Sequence, residues 1–515
     1  MRSRHHVTTP GPEVKTTGGL VRGLTTHGVH TWRGVPYAAP PVGEYRLRAP
    51  QPVVPWEGVR DGSRFGPVPI QERIGDFIGA GRKTPMAEDS LTLNVSAPLT
   101  AHLDGPAPQG SAPPDKPRPV MVWFYGGAFV VGASSAPTYR GYDFVRRGDC
   151  VFVSVNYRIG ALGYLDFSAY GTPERPIENN LGLRDQIAAL EWVRDNIAAF
   201  GGDPDQVTIF GESAGAISVT TLMATPAARG LFHRAIAESS APGMVFGQQR
   251  ARAWAAGFVT ALGADDDPLA GLTTATPHQL LGAAQVLRDR LGDQPGTIPT
   301  APVVDGDLLP EPPLDAFEGG RAADVPLIIG TNDTEGRLFE LPRLRLDVLV
   351  SDDSMERMFA LTQPELRDQV LAVYAGTPHR KDLGGDYMFW YPSIRIVQAH
   401  RGPVWAYRYD LTTPVLDLMG VRATHGMELY AVFGLADTNA ARWLTALGGR
   451  QALRGVQERV QTDWIHFAHH GAPASHWPTY DPQTRLTKIL DRVDRVESDP
   501  RRERRLAWEG FRGYD

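Results

Sequence analysis

The stretch from Gln206 to Ala224 constrains this chain more than any other. Gln206–Phe210 (QVTIF) reads as a short buried strand, Ala216–Ala224 as a run of small and apolar residues suited to a helix, and Gly211-Glu212-Ser213-Ala214-Gly215 lies between them. A strand that turns into a helix over so few residues strains the residue at the tip. Side chains at the two flanking positions would strike neighbouring elements, which explains Gly211 and Gly215. Such a turn projects the Ser213 hydroxyl beyond the carboxyl end of its strand. It also sets the Ala214 N–H at a helix N-terminus, where it can stabilise negative charge. With 55 glycines in 515 residues, a G-x-S-x-G is expected by chance about 0.2–0.3 times, so its force comes from the strand before and the helix after.

The surrounding pattern gives that turn a place. Pro119–Tyr125, Cys150–Tyr157, Val325–Ile329 and Val404–Tyr409 are short β-branched or aromatic runs. Leu183, Ile187, Leu190, Val193 and Ile197 recur at helical spacing, and Gly201-Gly202 stops that helix. Alternation of strands and helices predicts an α/β fold with a mostly parallel, twisted central sheet flanked by helices. Segments near 250–299 and 342–391 read as helical insertions, and the Pro-rich stretch Gly105–Arg118 as an exposed loop. No clean linker interrupts the pattern, so residues 1–515 are expected to form a single domain.

Charge and composition exclude several functions. The net charge is −6 and no basic tract stands out, so no nucleic-acid partner is expected. Cys150 is the only cysteine; an internal disulfide is impossible, and at the head of an apolar strand it is expected to be a buried, inert thiol. The N-terminal MRSRHHVTTPGPEV lacks an apolar stretch, and the run Val120–Ala133 is too short to span a bilayer and is broken by Gly126 and Gly127. A soluble, cytoplasmic protein with no membrane association is therefore expected. His466, His469 and His470 share a helix face and mimic a metal site, but no metal and no cofactor are expected. Asn94-Val-Ser falls in a strand and is not expected to be glycosylated.

A second loop has the makings of a site. The strand Pro119–Tyr125 runs into Gly126-Gly127-Ala128-Phe129. A Gly-Gly step after an apolar strand lets successive N–H groups converge on one point, which is what a tetrahedral oxyanion needs. Gly127 and Ala128 are the expected donors there, joined by Ala214.

With these motifs in hand, the chain resembles the type B carboxylesterase and cholinesterase family of α/β-hydrolases. The resemblance rests on Trp32-Arg33-Gly34-Val35-Pro36-Tyr37-Ala38, Glu88-Asp89-Ser90-Leu91, the Tyr125–Phe129 loop and Asn156-Tyr157-Arg158. It continues through Asp195-Asn196-Ile197 to the serine turn, Pro302-Val303-Val304-Asp305-Gly306, Glu335-Gly336, His425-Gly426 and Trp477-Pro478, so that matches run from about residue 20 to about 510. It implies a catalytic triad of Ser213, Glu335 and His425, in the chain order Ser, acid, His usual for that fold. Asp333 is a rival carboxylate two residues before Glu335, read here as capping its own turn. Arg46 with Glu88, and Arg158 with Asp185, resemble structural salt bridges of the family. Ser239 resembles a hydroxyl supporting the triad, and Glu212 is placed to tune the imidazolium.

The resemblance also bears on specificity. Family position assigns Leu338 and Phe339 to the pocket, brings Ile298 and Thr300 to its acyl side, and has Phe246 close it. Tyr387, Phe389, Trp390 and Tyr391 belong either to the core or to the wall of the site. Departures are informative: Tyr125 stands where esterases often carry histidine, Ser90 where animal relatives have a disulfide cysteine, and Arg64–Thr84 offers Phe65 and Phe77 but no tryptophan for a quaternary ammonium. This pattern fits the bacterial general carboxylesterase, para-nitrobenzyl esterase-like branch. The expected activity is hydrolysis of neutral, small-molecule carboxylic esters through an acyl-enzyme, with the same machinery tuned to amides, carbamates or polyesters as the alternative. A catalytically silent binding protein on the same fold is the reading from another class.

Overall fold

The computed structural model describes residues 8–73, 79–81, 83–101, 103, 116–291, 298–339, 352–376, 382–474 and 476–513. Its strands are β1 (Thr9–Thr16), β2 (Gly19–Thr26), β3 (Val29–Pro36), β4 (Val59–Asp61), β5 (Thr92–Pro98), β6 (Arg118–Phe124), β7 (Val151–Val155) and β8 (Gly202–Glu212). They continue with β9 (Arg234–Glu238), β10 (Phe246–Gly247), β11 (Val303–Val304), β12 (Leu327–Asn332), β13 (Val404–Tyr409), β14 (Leu486–Leu490) and β15 (Arg495–Ser498). The large sheet has the order β1-β2-β3-β5-β7-β6-β8-β9-β12-β13-β14-β15, with β4 on β2, while β10 and β11 pair separately.

From β7 to β14 the neighbours in this order are parallel, and antiparallel strands complete both edges. Every residue of β6, β7 and β12 is buried. Strands covered on both faces read as unbroken apolar runs, which is why these three were visible in the sequence. The covering helices include α1 (Leu181–Asn196), α2 (Ala214–Ala224) and α3 (Arg450–His470). In α1 the predicted face Leu183, Ile187, Leu190 and Val193 is buried, and Ile197 continues it in a following 3-10 turn.

The expected insertions are helical where they are described. The first holds helices at Gln248–Leu262, Pro268–Thr274 and Pro277–Leu291. The second holds Asp352–Leu361 and Arg367–Val373, then Leu383–Gly385, a π-helical turn at Asp386–Trp390 and Tyr391–Ala399. Residues 340–351 and 377–381 of that insertion, most of the Pro-rich loop and Phe77 lie outside the described residues.

The parallel strands direct their carboxyl ends to one edge of the sheet. The Gly-Gly loop follows β6, Ser213 follows β8, Ser239 follows β9, Glu335 follows β12, and the segment with His425 follows β13. In an open α/β sheet this edge is where ligands bind.

Candidate active site

The turn at Ser213 is as tight as its glycines imply. Ser213 has φ 56° and ψ −123°, a conformation that side chains rarely adopt. A Cβ on Gly215 would lie 2.0 Å from the Phe124 carbonyl oxygen, and one on Gly211 2.5 Å from the Gly215 carbonyl carbon. Only hydrogen fits at either position. The Ser213 N–H donates to the Glu238 carbonyl at 2.9 Å, which ties the turn to β9, and the Ser213 carbonyl accepts from Ile217 in the first turn of α2.

The loop after β6 lies against this turn. A Cβ on Gly126 would sit 2.6 Å from the Glu212 carbonyl oxygen and 3.0 Å from Ser213 Cβ. Gly127, Ala128 and Phe129 then have φ of 122°, 54° and 57°. The Gly127 carbonyl accepts from Val130 and Val131, and the Gly127 and Ala128 N–H groups have no protein acceptor among the described residues. Ala214 is the first residue of α2, so its N–H belongs to the first helical turn, which has no intrahelical partner. Tyr125 anchors the loop instead of the histidine usual in esterases. It stacks on Tyr157 at 4.5 Å, and each hydroxyl donates to the other's backbone carbonyl.

His425 and Glu335 are brought together across 90 residues: Nδ1 of the imidazole lies 2.6 Å from Glu335 Oε2. The other carboxylate oxygen, Oε1, accepts from the Asn332 N–H at 2.5 Å and from the Ser239 hydroxyl at 2.6 Å. Both residues are buried. Among the described residues His425 Nε2 is buried without a hydrogen-bond partner, and it stands 3.2 Å from Glu212 Oε1, on the residue before Ser213. Nε2 therefore lies beside the serine turn. Catalytic hydrogen bonds commonly tighten only when substrate is bound.

Asp333 is held elsewhere, and not as the cap of its own turn. It pairs with Arg501 at 2.8 Å and lies 3.7 Å from both Arg408 and Arg422. Burial works to raise its carboxyl, but these guanidiniums together hold it below the usual range.

Four buried glutamates surround the imidazole region: Glu212, Glu238, Glu335 and Glu428. The sequence reading missed Glu238 and Glu428 and the amide of Asn332. Asn332 Nδ2 donates to Glu428 Oε2 at 2.5 Å, and Trp464 Nε1 donates to Glu238 Oε1 at 2.7 Å. Glu428 lies three residues after His425, and Glu238 directly precedes Ser239; proximity along the chain was the signal available for both. Burial pushes the Glu212 carboxyl up to about 7 and, with help from neighbouring carboxylates, Glu428 up to about 8. Burial likewise pushes Glu238 well above the ordinary carboxyl range. For His425 burial favours the neutral ring, but Glu212, Glu335 and Glu428 outweigh it and push the imidazole up to about 9.

Around the imidazole the walls are aromatic. Phe389 lies over the His425 ring at 4.4 Å between centroids and Phe339 at 5.2 Å, and the two phenyl rings stack on each other. The four-residue aromatic group thus divides: Phe389 faces the site, Tyr387 and Tyr391 pack on Trp508, and Trp390 lies under the Arg501 guanidinium. Leu338 is half-buried, with its N–H donated to Thr424 Oγ1. Phe246 is buried against Trp254; Ile298 and Thr300 are buried too. Phe65 is covered by the guanidiniums of Arg33 and Arg140 at 4.5 and 4.2 Å, so its face is already occupied by cations.

The sequence model of the carboxylesterase family matches residues 10–508. The chain belongs to the carboxylesterase family. It is 38% identical to the para-nitrobenzyl esterase of Bacillus subtilis (strain 168) over 500 residues, 96% of this chain and 97% of that one. It is 33% identical to the phenmedipham hydrolase of Pseudarthrobacter oxydans over 494 residues, 91% and 93% of the two chains. Among solved structures, a PNB esterase aligns with a TM-score of 0.82 at 37% identity, covering 96% of this chain and 99% of that one. The fold is accordingly that of the α/β-hydrolases, and this carboxylesterase is a carboxylic-ester hydrolase.

The remaining sequence expectations concern structure. Arg46 pairs with Glu88 at 2.9 Å, and Arg158 with the fully buried Asp185 at 2.7 Å. Cys150 is buried, and burial raises its thiol. His466 and His469 bond to the carbonyls of Ala472 and Gly148, and no group of three potential ligands for a metal occurs among the described residues. Among the same residues no helix is long and apolar enough to cross a membrane.

Proposed function

We propose that Ser213, His425 and Glu335 carry the esterase reaction. The observation that carries this reading is a buried imidazole bound through Nδ1 to Glu335 at 2.6 Å, with Nε2 3.2 Å from Glu212, the residue before Ser213 in the strained turn. Ser213 attacks the ester carbonyl as His425 Nε2 takes its proton, and the imidazolium then protonates the departing alcohol. Water is activated by the same nitrogen and releases the acid. Glu335 fixes the tautomer, with the proton on Nδ1, and faces the imidazolium as it forms. Ser239 and the Asn332 N–H hold Glu335 in place through its other oxygen. The N–H groups of Gly127, Ala128 and Ala214 receive the oxyanion. Glu212, 3.2 Å from Nε2, and Glu428 face the imidazole together with Glu335 and favour its protonated form, the form that develops during attack.

Phe339, Phe389 and Leu338 give the site an apolar wall, which supports neutral esters with short to medium acyl chains, about C2 to C8, as substrates. Ile298 and Thr300 are assigned to the acyl side, and Phe246 to its closure. The family match over 10–508 and the continuous apolar cluster from Val14 to Phe511 support one catalytic domain with helical insertions. A single buried cysteine supports a cytoplasmic location, since the fold asks nothing of an oxidising compartment. The test is Ser213→Ala on a p-nitrophenyl ester. It should lose at least about 10³-fold in kcat with an unchanged circular dichroism spectrum; retention of a tenth of wild-type activity would remove Ser213 from the role.

A further inference from the structure

Two residues on either side of Glu335, the chain carries opposite charges: Asp333 before it and Arg337 after it. Neither charge is spent on its neighbour. Asp333 Oδ1 bonds Arg501 at 2.8 Å, Arg501 bonds Asp386 at 2.9 Å, and Asp386 bonds Arg504 at 2.9 Å. Arg504 bonds Asp382 at 3.2 Å, and Asp382 bonds Arg337 at 3.0 Å. Six alternating charges thus leave the acid loop at Asp333 and return to it at Arg337. Arg501 and Arg504 come from the C-terminal helix region around Arg502–Trp508, and Asp382 and Asp386 from the segment that runs into the π-helical turn Asp386–Trp390. Asp386 also accepts from the Tyr374 hydroxyl, itself bonded by Trp508 Nε1.

We propose that this ring of charges positions the His425–Glu335 pair, and that Arg501 and Arg504 are remote positioning residues for the reaction. The proposal rests on the triad reading above. Its geometric content is that one ring holds two things at once. It fixes the loop that carries Glu335, and it fixes the start of the π-helical turn whose Phe389, three residues after Asp386, lies 4.4 Å from the His425 ring. π-helical turns are rare and occur mostly at functional sites, and here the ring ties the first residue of the turn, Asp386, to both Arg501 and Arg504. Every member of the ring is largely shielded from water; the side chains of Asp386 and Arg337 are 4% and 7% exposed. In such surroundings opposite charges with planar, forked guanidiniums impose a geometry that apolar packing does not. Small displacements are enough: a shift of about 1 Å imposed from a distance can cost about 100-fold in rate.

The experiment compares Arg504→Met, Arg504→Lys and, as a control, Arg118→Met, all titrated for active serine with an organophosphonate. Arg118 is buried and pairs with Asp149 at the amino end of β6, remote from the ring. Arg504→Met should lower kcat per titrated site about 10- to 100-fold with KM within about twofold, and weaken the downfield proton resonance of the His425–Glu335 bond. Arg504→Lys should restore most of that loss. Arg118→Met should lower the melting temperature and leave kcat per site unchanged. If Arg504→Met does not fold, Asp386→Leu, which removes both oxygens that Arg501 and Arg504 share, takes its place with the same expectation. A kcat per site within twofold of wild type, with the resonance intact, overturns the ring's role. A wild-type enzyme that the organophosphonate does not label at Ser213 overturns the triad reading itself, and the two failures are thereby separate.

Discussion

Replacing Glu335 by glutamine tests the site where its geometry is most demanding. Two donors already aim at Glu335 Oε1, the Asn332 N–H at 2.5 Å and the Ser239 hydroxyl at 2.6 Å. The amide oxygen must take that position, because an NH₂ there would face both donors. The NH₂ is then forced into the place of Oε2, 2.6 Å from His425 Nδ1. A donor opposite Nδ1 demands a lone pair on that nitrogen, so the ring proton moves to Nε2, the nitrogen that must accept the Ser213 proton. The wrong tautomer and the lost counter-charge together should lower kcat about 10³–10⁴-fold, or about 4–5.5 kcal/mol of transition-state stabilisation. Asp333→Asn changes a carboxylate facing Arg501, Arg408 and Arg422, and keeps an oxygen for Arg501. It should cost at most about tenfold. The assay is steady-state hydrolysis of p-nitrophenyl acetate at saturating substrate, normalised to titrated active sites. A Glu335→Gln enzyme within tenfold of wild type would remove Glu335 from the acid role, and a ranking with Asp333→Asn the more damaged would give that role to Asp333.

The imidazole gives linked predictions for pH. His425, faced by Glu212, Glu335 and Glu428, is raised from 6.5 to about 9, so between pH 7 and pH 9 the folded protein holds a proton that the unfolded chain has released. Glu428, raised to about 8, acts in the same direction. The melting temperature should therefore fall from pH 7 to pH 9 at constant ionic strength while kcat/KM rises as Nε2 becomes free to act as base; a rising melting curve or a falling rate would contradict the assignment. Cys150 is buried with its thiol raised, so dithiothreitol should change neither activity nor melting, and a shift would reveal an intermolecular disulfide. Acetylcholine should show no tenfold advantage in kcat/KM over its uncharged isostere 3,3-dimethylbutyl acetate, because Phe65 is covered by Arg33 and Arg140; an advantage that large would require a cation site elsewhere.

What the sequence revealed follows the range of the interactions involved. Ser213 was legible because its constraint is local: Gly211 and Gly215 are excluded from bearing a side chain by atoms within one turn and the adjoining strand. His425 was not legible from its own surroundings, since its partner lies 90 residues away, and the family resemblance had to select it among 14 histidines. Glu428 and Glu238 look like ordinary surface residues in a linear reading; only packing buries them. Strand β8 begins at Gly202, earlier than its apolar core, because Gly202 pairs with Arg118 on β6. The aromatic group 387–391 resisted assignment for a related reason. Helical spacing puts Tyr387 and Tyr391 on one face and Phe389 on the other, but which face meets His425 and which meets the C-terminal helix is decided by packing between distant segments.

The most direct test of the account is to catch the acyl-enzyme. The wild-type protein is mixed with excess p-nitrophenyl butyrate, quenched in acid within the first turnovers, digested and weighed by mass spectrometry. The account predicts a butyryl group on the peptide containing Gly211-Glu212-Ser213-Ala214-Gly215, localised to Ser213, and no adduct in Ser213→Ala. An acyl group on another residue, or rapid hydrolysis by Ser213→Ala, would contradict it.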